Sequence, residues 1–222
     1  MSENSIACIF AFPLFGSILC ILAGRNFRNL CQPIAVISLA GALWGGVETL
    51  MRAIAAEKNE VSYFFGGWTP DLFPRGVGIE FRADLLACLI MLVVVGVSFL
   101  VSLYSKLSVS EETPGKEGAY YSLFLLQVVG LSGICLTGDA FNLYVLIEVA
   151  ALTGYGLIAM GSSRAAAATF NYVILGTIGA SLYLLGVGYL YLKTGTSNSG
   201  KWITRLNQRH PIGKFGGKSE HR

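Results

Sequence analysis

The sequence predicts an all-α integral membrane protein with about six transmembrane helices. Of its 222 residues, 54% are hydrophobic and 13% are charged, whereas a soluble domain usually carries about a quarter charged residues. Its uncharged stretches also approach the length of about 20 residues that crosses a hydrocarbon core about 30 Å thick. These stretches cover residues 4–24, 29–47, 85–105, 118–138, 140–163 with Glu148 as the single exception, and 165–192. A soluble core does not require six such segments in succession.

Residues 1–117 are predicted to hold helices 1–3 and a long outer loop. Helix 1 covers roughly residues 6–23 and helix 2 roughly 33–54, while helix 3 opens near Asp84 and runs to about Tyr104. Residues 57–82 lie between helices 2 and 3 and are rich in Gly, Pro and aromatic residues. This composition is typical of turns and of anchoring at the membrane interface.

Residues 118–192 are predicted to form helices 4–6. Helix 4 covers about 119–136, helix 5 about 140–161 and helix 6 about 165–192. The TGD link between helices 4 and 5 is so short that these two helices must lie side by side and antiparallel.

Residues 193–222 form a basic polar tail with seven Lys or Arg residues against one acid, Glu220. We expect a partly disordered, solvated tail from this composition. The alternative is that its segment KWITRLNQ lies on the membrane surface as a short amphipathic turn.

The distribution of basic residues among the short loops favours an N-terminus outside the plasma (inner) membrane. The inner loops then hold Arg25, Arg28, Lys106, Lys116 and Arg164. The same orientation places the basic tail outside, which runs against the rule.

Glu148 is the strongest candidate for a functional residue. A carboxylate at the centre of a membrane helix costs about 2.5–3.5 kcal/mol on insertion scales, and such residues often serve ion pathways or proton relays. At about 100° per residue, Tyr144, Leu152 and Tyr155 share its face of helix 5, and Ala151 flanks it. The two phenols are predicted to hydrogen-bond the carboxyl or to order water around it. The alternative is a structural role, as a hydrogen-bond or packing partner across helices.

The other charged residues in or beside the helices are expected to have structural roles. Glu48 and Arg52 are spaced i,i+4, which favours an ion pair. Asp84 and Asp139 stand at helix starts, where a carboxylate caps free backbone N–H groups. Arg164 is interpreted as an anchor at the start of helix 6.

The sequence predicts no catalytic centre, no cofactor and no metal site. It contains no phosphate-binding loop, no nucleophile with an adjacent base and no C-x-x-C spacing among its five cysteines. Both histidines, His210 and His221, lie in the tail. Most of the net charge of +3 also lies in the tail, so a nucleic-acid partner is not predicted.

Four segments resemble one known family. TGDAFNLYVLIEVAALTGYGLIAMG (137–161) resembles the fifth-helix segment of the proton-pumping membrane subunits of complex I and of Mrp-type sodium/proton antiporters, with the D-type Mrp subunit the most similar. Three further stretches agree in order and spacing: GGWTPDLFPRGVGIEFRADLLACLIML (66–92), FLVSLYS (99–105) and FNYVILGTIGASLYLLGVGYLYLKTGT (170–196). The resemblance covers residues 1 to about 200.

The resemblance implies the N-terminal helices of a subunit with about fourteen helices, built from two inverted repeats that each contain a broken helix. It also implies that Glu148 belongs to the proton path, where its usual partner is a lysine on the broken seventh helix. The present sequence ends before that helix, and Asn171 stands where the family often has a lysine. We therefore expect a truncated gene product, one half of a split subunit, or a shortened accessory subunit.

The resulting hypothesis is a subunit of a multisubunit monovalent cation (Na+)/proton antiporter with Glu148 as a proton relay. One alternative is a non-transporting structural or assembly subunit. Another is a proton-pumping subunit of an NADH-quinone oxidoreductase or hydrogenase-type complex. The expected partners are other antiporter or complex I-like membrane subunits, the lipid bilayer and a separate chain with the missing helices.

Overall fold

The computed structural model of the chain describes residues 5–56, 60–64, 80–161 and 164–202. These contain six long helices, which are α1 (Ser5–Asn26), α2 (Cys31–Ala55), α3 (Leu85–Glu112), α4 (Glu117–Leu136), α5 (Ala140–Ala159) and α6 (Ala165–Thr194). All six are long and apolar enough to cross a bilayer. The prediction of an all-α, multi-pass membrane protein is thereby confirmed.

Two helix starts carry the predicted caps. The carboxylate of Asp84 accepts a hydrogen bond from the backbone N–H of Ala87 at 2.7 Å, and Asp139 accepts one from Asn142 at 2.9 Å. Each bond satisfies one of the N–H groups that a helix leaves free in its first turn. The predicted ion pair between Glu48 and Arg52 is also present, within one turn of α2.

α3 extends eight residues further than the apolar run alone predicts, ending at Glu112 and not near Tyr104. Its 28 residues correspond to about 42 Å of helix, so the polar last turns continue beyond the hydrocarbon core. α6 ends at Thr194 because Gly195 adopts a left-handed backbone with φ of 68°, a conformation that glycine accepts without steric cost.

Helices α1–α4 form the packed centre of the molecule. α1 lies against α2 and α4, and α3 contacts both α2 and α4. Small residues permit these contacts: the hydroxyls of Ser17 on α1 and Ser122 on α4 hydrogen-bond at 2.7 Å in the interior. Buried side chains such as Leu39, Met91 and Leu125 fill the space between the four helices.

α5 packs on α4, and α6 packs on α5. Two glycines of α4 admit side chains of α5, because a methyl group on Gly130 would lie 2.9 Å from Ala150 and one on Gly133 would lie 2.5 Å from Leu146. α6 buries only Val187 and Thr194 among its described residues. It is therefore the outermost helix of this arrangement.

A short antiparallel hairpin precedes α3, formed by β1 (Glu60–Phe64) and β2 (Glu80–Asp84). The sequence predicted a loop in this region and did not predict the strands. An ion pair between Arg82 and Glu60 joins them across the ladder. The ring of Phe81 packs on Phe10 of α1 with centroids 5.0 Å apart. The glycine- and proline-rich part of the loop and most of the basic tail, with both histidines, lie outside the described residues.

Candidate functional site

Glu148 lies in the middle of α5, eight residues after Ala140 and eleven before Ala159. Its side chain is half-buried. At 1.5 Å per residue it stands about 12 Å along the helix axis from one end of α5 and about 16 Å from the other. The carboxyl is therefore far from both ends of its helix.

The face of α5 that carries Glu148 points away from α4. Leu146, Ala150 and Thr153 are buried against α4, and Thr153 donates a hydrogen bond to the side-chain oxygen of Gln127 at 2.7 Å. Helical periodicity places Glu148 about 160° around α5 from Leu146. The carboxyl is therefore not part of the α4–α5 contact.

Tyr155 shares the face of Glu148 and reaches α6. A methyl group on Gly176 would lie 1.8 Å from the hydroxyl oxygen of Tyr155, so only a glycine leaves room for this phenol. The same side of α5 is fastened near its start by Tyr183, whose hydroxyl donates to the carbonyl of Ala140 at 3.2 Å. α6 thus covers one flank of the face on which Glu148 lies.

Tyr144 is half-buried one turn before Glu148, and its ring centroid lies 6.4 Å from that of Phe141. Within the described part of the chain, neither Tyr144 nor Tyr155 makes a hydrogen bond to Glu148. Sequence periodicity grouped these three residues on one face of α5, and helical geometry keeps them there. The alternative, that the two phenols order water around the carboxyl, stays a prediction.

The other flank of the Glu148 face is open. Phe141, Val145 and Leu152 are exposed, and they lie within about 60° of Glu148 around the helix. Glu148 therefore stands at the border between the surface that α6 covers and an apolar surface that no described helix covers.

Residues immediately after α6 bind the start of α5, a contact that was not predicted from the sequence. Ser197 donates its hydroxyl to the carboxylate of Asp139, and its carbonyl accepts the backbone N–H of Ala140 at 2.9 Å. Asn198 donates its side-chain amide to the carboxylate of Glu80 at the start of β2. We call residues 196–199 the outer strap. Its only sequence signal is the run of short polar residues after α6.

The described residues do not offer a cluster of three or more His, Cys, Asp or Glu side chains for a metal ion. The phenols of Tyr144 and Tyr155, on the face of Glu148, can each donate and accept a hydrogen bond, which suits the binding of water.

No family model matches the chain. Curated relatives are nevertheless clear: the N subunit of an NADH-quinone oxidoreductase from Desulforudis audaxviator is 40% identical over 171 residues, which is 77% of this chain and 32% of the relative. The putative antiporter subunit mnhD2 of Staphylococcus aureus is 35% identical over 90% of this chain and 39% of the relative. The D subunit of the Na(+)/H(+) antiporter of Bacillus subtilis is 29% identical over 95% of this chain and 41% of the relative.

The chain is similar to D-type antiporter subunits and to an N subunit of NADH-quinone oxidoreductase. It matches the N-terminal part of such subunits, as the resemblance implied, and spans between 32% and 41% of the length of these three relatives.

Solved structures of membrane complexes share this fold. A chain of the membrane-bound sulfane sulfur reductase, an archaeal respiratory membrane complex, superimposes with a TM-score of 0.84 at 31% identity, over 95% of this chain and 41% of that one. A chain of the Mrp complex of Dietzia sp. gives a TM-score of 0.73 at 24% identity, over 88% of this chain and 35% of that one. The second likeness concerns the fold alone.

Proposed function

We propose that this antiporter-type chain is a subunit of a multisubunit monovalent cation (Na+)/proton antiporter, and that Glu148 serves as a proton-relay carboxyl. The observation that carries the proposal is a half-buried carboxyl at the centre of α5, inside the segment that resembles the fifth helix of the family. The relatives named as antiporter subunits cover nearly the whole of this chain, which supports exchange of a cation for a proton.

The position of Glu148 suits proton exchange with a neighbouring subunit or helix. Its face is covered by α6 on one flank and open beside Phe141, Val145 and Leu152 on the other. An ionisable group inside a membrane generally faces a protein interior or a water-filled cavity. We therefore expect another membrane subunit, or a separate chain with further helices, to cover this open surface and to supply the next group of the path.

Tyr144 and Tyr155 are proposed to support the relay. Both lie on the face of α5 that carries Glu148, Tyr144 one turn before it and Tyr155 two turns after it. A phenol both donates and accepts a hydrogen bond, so each can hold a water molecule beside the carboxyl once the open surface is covered. Tyr155 has its hydroxyl at Gly176, which makes it the natural link to α6.

The proposed location is the plasma (inner) membrane with the N-terminus outside. The end of the molecule with the α1–α2 and α3–α4 links, together with the adjoining turns of α1 and α3, carries Arg25, Arg28, Lys106 and Lys116. Basic residues near short loops favour the cytoplasmic side. The hairpin and the outer strap then lie at the outer surface.

The test is cation-driven proton transport in everted membrane vesicles from cells that express the chain with the other subunits of its operon. The variant Glu148→Gln keeps the size of the side chain and removes its exchangeable proton. We expect this variant to abolish the change in internal pH of the vesicles that follows addition of Na+, measured with a pH-sensitive dye. Glu112→Gln, on the exposed last turn of α3, is the matched control and should transport normally. Wild-type transport by Glu148→Gln would favour a structural or assembly role instead.

The second candidate is a proton-pumping subunit of a quinone-linked respiratory complex. The 40% identity to an NADH-quinone oxidoreductase subunit and the likeness to a chain of an archaeal respiratory complex both favour it. Identification of the copurifying chains by mass spectrometry separates the two. Redox subunits with bound flavin or iron–sulfur clusters would support the respiratory function, and membrane subunits alone would support the antiporter.

A further inference from the structure

A second polar site lies at the opposite end of the molecule from the outer strap. Here the α1–α2 link, the end of α3 and the start of α4 enclose a cavity of about 120 Å³. Seven of its nine lining residues have polar side chains, and two of these are cationic. The polar lining residues are Arg28, Asn29, Gln32, Lys106, Ser110, Glu117 and Tyr121.

The charges around this cavity leave one cation without a counter-charge. Arg28 stands 4.0 Å from the carboxylate of Glu117, and the other oxygen of Glu117 accepts the backbone N–H of Gly115 at 3.2 Å. Lys106 forms no ion pair with any of the described residues. The charges of Arg28 and Glu117 offset one another, and the exposed ammonium of Lys106 leaves the cavity with a net positive charge.

Most free hydrogen-bonding groups of the cavity are donors, and Oε2 of Glu117 is a buried acceptor without a hydrogen-bond partner among the described residues. The side-chain amide of Gln32 donates hydrogen bonds to the carbonyls of Ser102 and Leu103, each at 3.2 Å. The ammonium of Lys106, the guanidinium of Arg28, the amide of Asn29 and the hydroxyl of Ser110 remain to donate. Such a set suits an anion with several acceptor oxygens, above all a phosphate group.

The depth of the cavity matches the lipid headgroup layer. Lys106 follows Leu85, the first residue of α3, by 21 residues, or about 32 Å of helix. The hydrocarbon core is about 30 Å thick, so Lys106 reaches its far boundary. Leu107 and Val109 line the same cavity, and the exposed Leu107 offers an apolar surface on the membrane side. Basic pockets between helices at this depth are suited to anionic lipid headgroups.

We propose that this cavity binds the phosphate of an anionic phospholipid, with Lys106 as the principal contact and Arg28, Asn29 and Ser110 as additional donors. The lipid links α3 to the α1–α2 link at the membrane face that carries most of the basic loop residues. This site is separate from Glu148, and it does not depend on the proposed transport activity.

The test is native mass spectrometry of the full chain, extracted in mild detergent and incubated with phosphatidylglycerol or with phosphatidylcholine of the same acyl chains. The wild-type chain should retain phosphatidylglycerol preferentially. Lys106→Gln should weaken its retention about fivefold, the effect of one basic residue at a membrane surface. Lys116→Gln, which removes a charge from the same membrane face outside the cavity lining, is the matched control and should retain the lipid.

Lys106→Arg keeps the positive charge and should retain phosphatidylglycerol as the wild-type chain does. This variant tests the role of the charge even if Lys106→Gln folds poorly. Equal retention of the two lipids by the wild-type chain would overturn the proposal, as would an equal loss in Lys116→Gln. Inorganic phosphate is tested alone in the same assay. Tight binding of inorganic phosphate together with no preference between the lipids would assign the site to a free anion and overturn the lipid assignment.

Discussion

Gly24 of α1 and Gly118 of α4 bring the backbones of their helices into direct contact. A methyl group on either glycine would lie 2.6 Å from the Cα atom of the other. A methyl group on Gly118 would also lie 2.8 Å from the carbonyl oxygen of Cys20. Because backbone atoms cannot yield as a flexible side chain does, this crossing requires glycine on both helices, as small-residue contacts between membrane helices generally do.

Gly118→Ala is therefore expected to separate α1 from α4 and to lower stability by about 1–3 kcal/mol, the usual cost of overpacking. The measurement is the temperature at which half of the detergent-extracted protein is lost from its monodisperse peak. Gly96→Ala is the control, because the space beside Gly96 on α3 is open and alanine is the better helix former. Equal midpoints for the two variants would show that α1 and α4 do not rely on this contact.

Gly176→Ala should disturb the contact between α5 and α6, since the new methyl group would meet the hydroxyl of Tyr155. Tyr155→Phe removes that oxygen and leaves the ring 3.0 Å from the added methyl group. We expect Gly176→Ala to cost clearly more in the wild-type background than in Tyr155→Phe, a coupling of about 0.5–3 kcal/mol.

The same thermal assay measures this double-mutant cycle. Gly179→Ala is its control, because nothing stands within 4 Å of a methyl group there. Additive effects of Gly176→Ala and Tyr155→Phe would contradict the close contact between the two residues.

Asp139→Ala should loosen more of the structure than Asp84→Ala. Both variants lose a helix cap, which is worth about 0.5–2 kcal/mol. Only Asp139 also holds Ser197 of the outer strap. The measurement is the rate of limited trypsin cleavage after Lys201, which lies just after the outer strap. We expect faster cleavage at Lys201 in Asp139→Ala, with Asp84→Ala close to wild type. Equal cleavage rates would mean that the strap is held by its backbone contacts alone.

Tyr144→Phe should reduce proton transport several-fold if its hydroxyl orders water beside Glu148. The assay is the dye response of everted vesicles described for Glu148→Gln. Tyr104→Phe, at an exposed position of α3, removes a phenol hydroxyl from another helix and should transport normally. An unchanged rate in Tyr144→Phe would remove Tyr144 from the proposed relay and leave Glu148 to be judged by its own variant.

The sequence predicted those features that depend on neighbouring residues. The helices follow from apolar length, and the caps at Asp84 and Asp139 from a carboxylate three residues before a free N–H group. The outer strap could not be predicted, because Ser197 and Asn198 lie 58 and 118 residues from their partners, Asp139 and Glu80. The contacts of such distant residues depend on how the helices pack.

In the candidate site, too, the features set by neighbouring residues were predicted and the contacts between helices were not. Periodicity placed Tyr144 and Tyr155 on the face of Glu148, since a helix repeats every 3.6 residues. It did not predict that the hydroxyl of Tyr155 would lie against Gly176, because the sequence of α5 carries no information on which helix covers that face.

Burial decreases steadily along the second half of the chain, and this has a consequence for biogenesis. α4 buries ten of its residues, α5 five and α6 two among those described. Since helices leave the ribosome in order, α1–α4 can assemble in the membrane as soon as α4 emerges, and they then present a finished surface to α5. α6 is the last of the six to dock, and the outer strap can close only after it has been inserted. A chain released early would therefore keep its centre and lose the helix pair that carries Glu148.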